Sequence, residues 1–188
     1  MNKWLFSDTL LRLSSAKKIA YIAVMTAFTV VANMFFEIKF ADIQFSFTIF
    51  VSALTGMILG PLAGFTACFL GDLVGFFYNS AGFAYYPWIG IAMGLVAVIA
   101  SLCLRLPFQG KLPLKLLVIS VLTFAVCTVG INTTSFYLLY GKGVGYGTYL
   151  IARLFVQGQI WNSLVNYALL FLITPALVAV KPLGIKIR

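Results

Sequence analysis

The side chains able to do chemistry are few and widely spaced along an apolar chain. Histidine is absent, and the acids are Asp8, Glu37, Asp42 and Asp72. Asp72 stands near the middle of the apolar run Leu62 to Tyr78, where a carboxylate costs about 2.5–3.5 kcal/mol on insertion scales and so needs a compensating partner. Two readings fit it: a hydrogen-bond acceptor for a bound small molecule, or a structural bond to an Asn or Thr of another helix. Arg153 and Gln157 are four residues apart and Trp161 four further, so the three are expected to cover one arc of the last helix. A guanidinium there suits bidentate capture of a carboxylate; its alternative is to snorkel to the membrane surface. Tyr85, Tyr86 and Trp88 follow the polar stretch Asn79-Ser80-Ala81-Gly82. They offer either a stacking wall for a flat ring or an interfacial aromatic belt. Asn132, with Thr133 and Thr134, suits reading the edge of a heterocycle or bonding helix to helix, whereas Asn162 and Asn166 fall on a different arc and read as interhelical hydrogen-bonding residues.

Several chemistries are excluded by what is missing. The chain has no G-x-x-x-x-G-K-[ST] phosphate loop, and the glycines around Gly141-Lys142-Gly143 do not match that spacing. Any nucleotide hydrolysis must therefore occur on another chain, and no cofactor is expected in this one. The pairings that acid–base or nucleophilic catalysis uses are absent, so an enzyme is not expected. Cys68, Cys103 and Cys127 are scattered in apolar runs, which points to neither a disulfide framework nor a metal site.

The elements that must position these residues follow from composition. Of 188 residues, 62% are hydrophobic and 9% charged, with a mean hydropathy of +1.05; the solvent of such a chain is the lipid bilayer. The apolar runs do not alternate with polar residues as barrel strands would, so an all-α membrane protein is expected, one domain over residues 1–188. Breaks in the apolar runs predict six transmembrane helices at Ile19 to Phe36, Ile43 to Leu59, Leu62 to Tyr78, Tyr85 to Leu104, Leu114 to Tyr140 and Tyr149 to Val180. The last two exceed one bilayer thickness, which predicts tilt or protrusion.

The net charge of +9 does not indicate nucleic acid, because the basic residues cluster at the ends of the spans. With the amino terminus inside, Lys3, Arg12, Lys17, Lys18, Arg105, Lys111, Lys115, Lys181, Lys186 and Arg188 fall on one side, against Lys39 and Lys142 on the other, ten to two. That asymmetry predicts a multi-pass protein of the cell membrane with both termini cytoplasmic. Small residues recur every fourth position at Gly56, Gly60 and Gly64, at Ala63, Ala67, Gly71 and Gly75, and at Gly90 and Gly94, so the second, third and fourth helices are expected to approach closely. Ala23 and Ala27 make a further pair near the basic end of the first helix.

Taken together, these features resemble the substrate-binding S component of energy-coupling factor (ECF) vitamin transporters. The resemblance covers almost the whole chain. Basic residues followed by Ala23-x-x-x-Ala27 look like that family's scaffold-docking motif. Leu59-Gly60-Pro61-Leu62-Ala63-Gly64 and Gly71-Asp72-Leu73-Val74-Gly75 look like its second and third helices. Ala84-Tyr85-Tyr86-Pro87-Trp88, Asn132-Thr133 and Leu138-Leu139-Tyr140-Gly141-Lys142 look most like the folate branch. The resemblance implies a six-helix subunit that captures substrate from outside, between helices 4 to 6 and the outer loops, and works with a membrane scaffold subunit and two ATPase subunits that hydrolyse ATP. A pterin would set a donor edge against Asp72, a flat ring against Tyr85, Tyr86 or Trp88, and a carboxylate tail near Arg153 or Lys142, with Asn132, Gln157 and Trp161 around it. An S component for another vitamin or heterocyclic micronutrient, and a structural membrane subunit with no ligand, remain alternatives at this point.

Overall fold

The structure, a computed structural model, describes residues 5–35, 37–40, 43–78, 85–105, 112–141 and 143–180. The loop Asn79 to Gly82 and the basic residues Lys3, Lys111, Lys142, Lys181, Lys186 and Arg188 lie outside the described residues. A short helix, α1 (Asp8–Arg12), is capped by the Ser7 hydroxyl accepting from the Leu10 N–H at 3.2 Å. It precedes the first membrane helix, α2 (Ser15–Phe35), whose 21 residues give about 32 Å of length, enough for the bilayer core.

The second expected span is corrected by the structure. Its first residues form a strand: β1 (Glu37–Phe40) and β2 (Ile43–Ser46) pair antiparallel, with Glu37 opposite Ser46 and Phe40 opposite Ile43. The helix that follows, α3 (Thr48–Leu59), has only 12 residues, about 18 Å, too short to cross alone. The apolar content that suggested a full span has another cause, since ten of the 12 residues are buried within the protein. Lipid is not the solvent of this helix.

Non-helical backbone at such a place must find its partners inside the protein, and α9 (Gln159–Ala179) supplies them. The Ser46 N–H donates to Asn162 Oδ1 at 2.9 Å and the Phe50 N–H to Asn166 Oδ1 at 2.9 Å, while Asn166 Nδ2 donates to the Ser46 carbonyl at 2.6 Å. At the start of α3, Phe47 provides no side-chain cap. Two asparagines 116 residues away in sequence therefore cap it, the interhelical role expected of them.

The other spans are α4 (Pro61–Tyr78), α5 (Pro87–Arg105) and a continuous helix made of α6 (Leu112–Thr123), a π-helical stretch (Phe124–Thr133) and α7 (Thr134–Tyr140). With α2 and α9 these make, among the described residues, five helices long and apolar enough to cross a membrane, and the shorter α3 is a sixth apolar helix. The small residues of the middle helices are consumed in packing. Gly56 of α3 lies against the Ala97 backbone of α5, and Gly71 and Gly75 of α4 admit Thr29 and Asn33 of α2; the Thr29 hydroxyl donates across that contact to the Ala67 carbonyl at 3.1 Å.

The sixth expected span is also corrected. Tyr149 to Val180 is not one helix: α8 (Tyr146–Ile151) and a π turn (Ala152–Val156) run to Gln157. The chain then breaks at Gly158, whose φ of 74° is left-handed, before α9 begins. Glycine occupies that conformation without the steric cost other residues incur. The surplus length visible in the sequence is divided by this break into α8 with its π turn and α9.

Candidate functional site

Asp72 and Tyr85 are brought together, but by each other's company and not around an open space. Asp72 Oδ1 accepts from Asn33 Nδ2 of α2 at 3.2 Å, and Oδ2 accepts from the Tyr85 hydroxyl at 3.1 Å. Of the two readings of this carboxylate, the geometry matches the structural one, with an asparagine of another helix as partner. The Tyr85 ring lies 5.2 Å from Phe76 and 6.4 Å from Phe77, centroid to centroid. Its floor is Gly90 of α5, where an added Cβ would overlap the Tyr85 hydroxyl and sit 3.1 Å from Asp72 Oδ2. Burial, and then the Asp72 carboxylate, push the Tyr85 phenol above its ordinary pKa, so it stays protonated and donates. The cleft beside the pair is lined by Thr29, Asn33, Thr48, Ser52 and Asp72 among others, with about 10 Å³ of room. That suits one water molecule, against roughly 300 Å³ or more for a drug-sized ligand.

A second cluster forms at the same end of the bundle between the α5–α7 side and the α8 segment. The α7 and α8 helices fold back on each other: Tyr137 meets Tyr146 and Tyr149 edge-on at 5.1 and 5.5 Å, and the Thr134 and Tyr146 hydroxyls lie 3.1 Å apart. This sets the Arg153 guanidinium over the Phe136 ring, 4.0 Å from its centroid, a cation–π contact. Phe136 in turn stacks at 6.0 Å on Tyr140, and Tyr140 lies close to Tyr86. Arg153 donates to Gln157 Oε1 at 3.3 Å and lies close to Tyr149, yet its Nε is buried without a partner. Burial pulls its pKa down, with Tyr149 opposing; an anion placed there would relieve that penalty. Asn132, one turn before Phe136, also has a buried oxygen, Oδ1, with no partner. Both orphaned atoms belong to π-helical segments, backbone that is frequent at functional sites.

The remaining expected residues are placed elsewhere. Trp88 is 59% exposed and Trp161 55% exposed, the disposition of an aromatic belt. Trp161 does not continue the arc of Arg153 and Gln157, because the break at Gly158 resets the helical phase before α9. Ala23 and Ala27 are exposed on α2. Sequence reasoning missed Asn33, Phe136 and Tyr149. Asn33 carried a signal, being an amide in an apolar span; Phe136 and Tyr149 did not stand out among 18 Phe and nine Tyr.

The fold and its sites have relatives. No curated protein matches the chain. A crystal structure of FolT bound with folic acid superposes with a TM-score of 0.65 at 21% identity, covering 85% of this chain and 93% of that one; at that identity the likeness is one of fold. The family model for the ECF-type riboflavin transporter S component matches residues 13–181. A bundle of apolar helices matched by that family model is thus a multi-pass membrane transport subunit, and this chain belongs to the ECF-type riboflavin transporter S component family.

Proposed function

We propose that this chain captures, at the outer face of the cell membrane, a vitamin combining a flat nitrogen heterocycle with an anionic tail, folate or a related pterin before others. The observation that carries this reading is Arg153, a guanidinium stacked on Phe136 with its Nε buried and unpartnered. A carboxylate would satisfy it with charge-assisted hydrogen bonds. Asn132 Oδ1 accepts from a ring N–H, and Tyr86, Phe136, Tyr140 and Tyr149 supply aromatic surface for the heterocycle. Asp72 is assigned a supporting role, since its oxygens already have protein donors. Riboflavin is the second reading, favoured by the description of the matching family; its ring is similarly flat, but its ribityl tail carries no charge for Arg153 to hold. The test is titration of the detergent-solubilised protein with folic acid and with riboflavin by tryptophan quenching, together with the absorbance spectrum of whatever co-purifies. Folic acid should bind more tightly and a pterin spectrum should appear. Binding of neither vitamin would overturn the reading, and tighter riboflavin binding would replace it with the second.

The same proposal includes a membrane scaffold subunit, carrying two ATPase subunits, that docks on α2 from the basic, cytoplasmic end. The small residues of α3, α4 and α5 are filled by neighbouring groups of this chain, whereas Ala23 and Ala27 stay exposed, a strip on which a partner helix would approach closely. Ala27→Trp should lower uptake by the assembled transporter about ten-fold or more by blocking that approach, with folic acid binding to the isolated chain unchanged. Normal uptake by this variant would remove the strip from the docking surface.

A further inference from the structure

Asp72 connects two parts of the molecule that the proposed transport cycle must move in concert. On one side it holds Asn33, which lies on α2 with the exposed Ala23 and Ala27. On the other it holds Tyr85, whose neighbour in sequence, Tyr86, lies close to Tyr140 at the border of the Arg153 cluster. Consecutive tyrosines thus have different neighbours: Tyr85 is tied to α2 through the Asp72 carboxylate, and Tyr86 lies beside Tyr140. We propose that the Asn33–Asp72–Tyr85 chain is a latch, with Asp72 a positioning residue through which the docking helix and the tyrosine that borders the vitamin site restrain one another. This deepens the vitamin reading above and rests on it.

The geometry is specific to the latch. Gly90 must lack a side chain for the Tyr85 hydroxyl to reach Asp72, because a Cβ would overlap that oxygen. Gly75 must likewise be small, since a Cβ there would come within 2.9 Å of Asn33 Cβ. Two glycines on two helices therefore clear the paths of the two donors. Asp72 has partners of fixed geometry on both sides, so displacement of α2 withdraws one donor from a buried carboxylate, which favours losing the arrangement as a whole. Coupling of this kind is reciprocal: if a docked partner on α2 alters vitamin affinity by some factor, the vitamin alters docking by the same factor.

The experiment compares Tyr85→Phe, Asn33→Leu and the double variant of the full chain in detergent, using folic acid as the probe. Tyr85→Phe removes one hydroxyl and keeps the ring beside Phe76 and Phe77; Asn33→Leu keeps the branched shape and heavy-atom count and removes the donor on α2. Each should raise hydrogen exchange at the Tyr85, Tyr86 and Trp88 amides about ten-fold and speed folic acid release about ten-fold, the usual effect of one hydrogen bond to a charged group. The double variant should be no worse than either single one. Additive effects in the double variant, or lowered apo melting temperatures with wild-type exchange and release, would overturn the latch and leave Asp72 as a packing residue. If the wild-type protein binds no folic acid, the vitamin reading fails, and the exchange measurement on Asn33→Leu still decides the latch, because Asn33 reaches Tyr85 through Asp72.

Discussion

Arg153→Met should weaken folic acid binding about a hundred-fold, some 3 kcal/mol, within the 2–5 kcal/mol that truncating one member of a buried hydrogen-bonded charge pair costs. Methionine keeps an apolar stem over the Phe136 ring and removes the fork. Arg153→Lys should fall between the two, since lysine retains the charge but neither stacks as a plane nor binds bidentately. Riboflavin affinity should change by no more than about three-fold, because a neutral tail gains little from a guanidinium. The apo protein should be as stable as wild type or more so, because the variant relieves a partly buried cation whose Nε has no partner. Fluorescence titration with both vitamins and an apo melting curve separate the possibilities. An unchanged affinity for folic acid would remove Arg153 from the binding site and leave it a packing residue over Phe136, and equal losses for both vitamins would mean that it shapes the ring site.

The second large effect is structural. Gly56→Ala should lower stability by about 3 kcal/mol, at the upper end of ordinary overpacking costs, which corresponds to a fall of roughly 6–12 °C in melting temperature. The added Cβ would overlap the Ala97 carbonyl oxygen and lie 2.5 Å from Ala97 Cα. Those atoms are backbone of α5, so no rotamer change relieves the clash; the helices must separate. Gly64 packs on the same spot, with its own Cβ position 2.8 Å from Gly56 Cα, so separation would spread to α4. Ala27→Leu, on the exposed face of α2, should leave the melting temperature of the isolated chain near wild type. A Gly56→Ala protein that melts with the wild type would show that α3 and α5 slide apart at little cost.

Membrane residence, the number of apolar helices and the use of small residues between the middle helices were all legible before any coordinates, because each is a response to local surroundings. Lipid around a helix demands apolar side chains, and close backbone approach demands Gly or Ala at helical spacing; both leave a mark in a window of twenty residues. Asn162 and Asn166 were legible for the same reason, as amides placed where only another segment could satisfy them. The boundary of α3 was not, since a helix buried in protein and a helix bathed in lipid have the same composition. Arg153, Gln157 and Trp161 looked like one arc until Gly158 interrupted the helix, for periodicity assumes a continuity that one left-handed residue removes.

Asp72 marks the limit most clearly. Its cost in an apolar span announced a partner, but the identity of that partner depended on Asn33, 39 residues earlier, and Tyr85, 13 residues later. The composition of one span contains no information about which donor another span brings alongside it. Packing of α2 and α5 against α4, permitted by Gly75 and Gly90, turned a residue that looked ready for a ligand into one already occupied. Arg153 Nε and Asn132 Oδ1, by contrast, are buried without a partner, a fact that depends on how α7, α8 and the π-helical segments meet and not on the composition of either span.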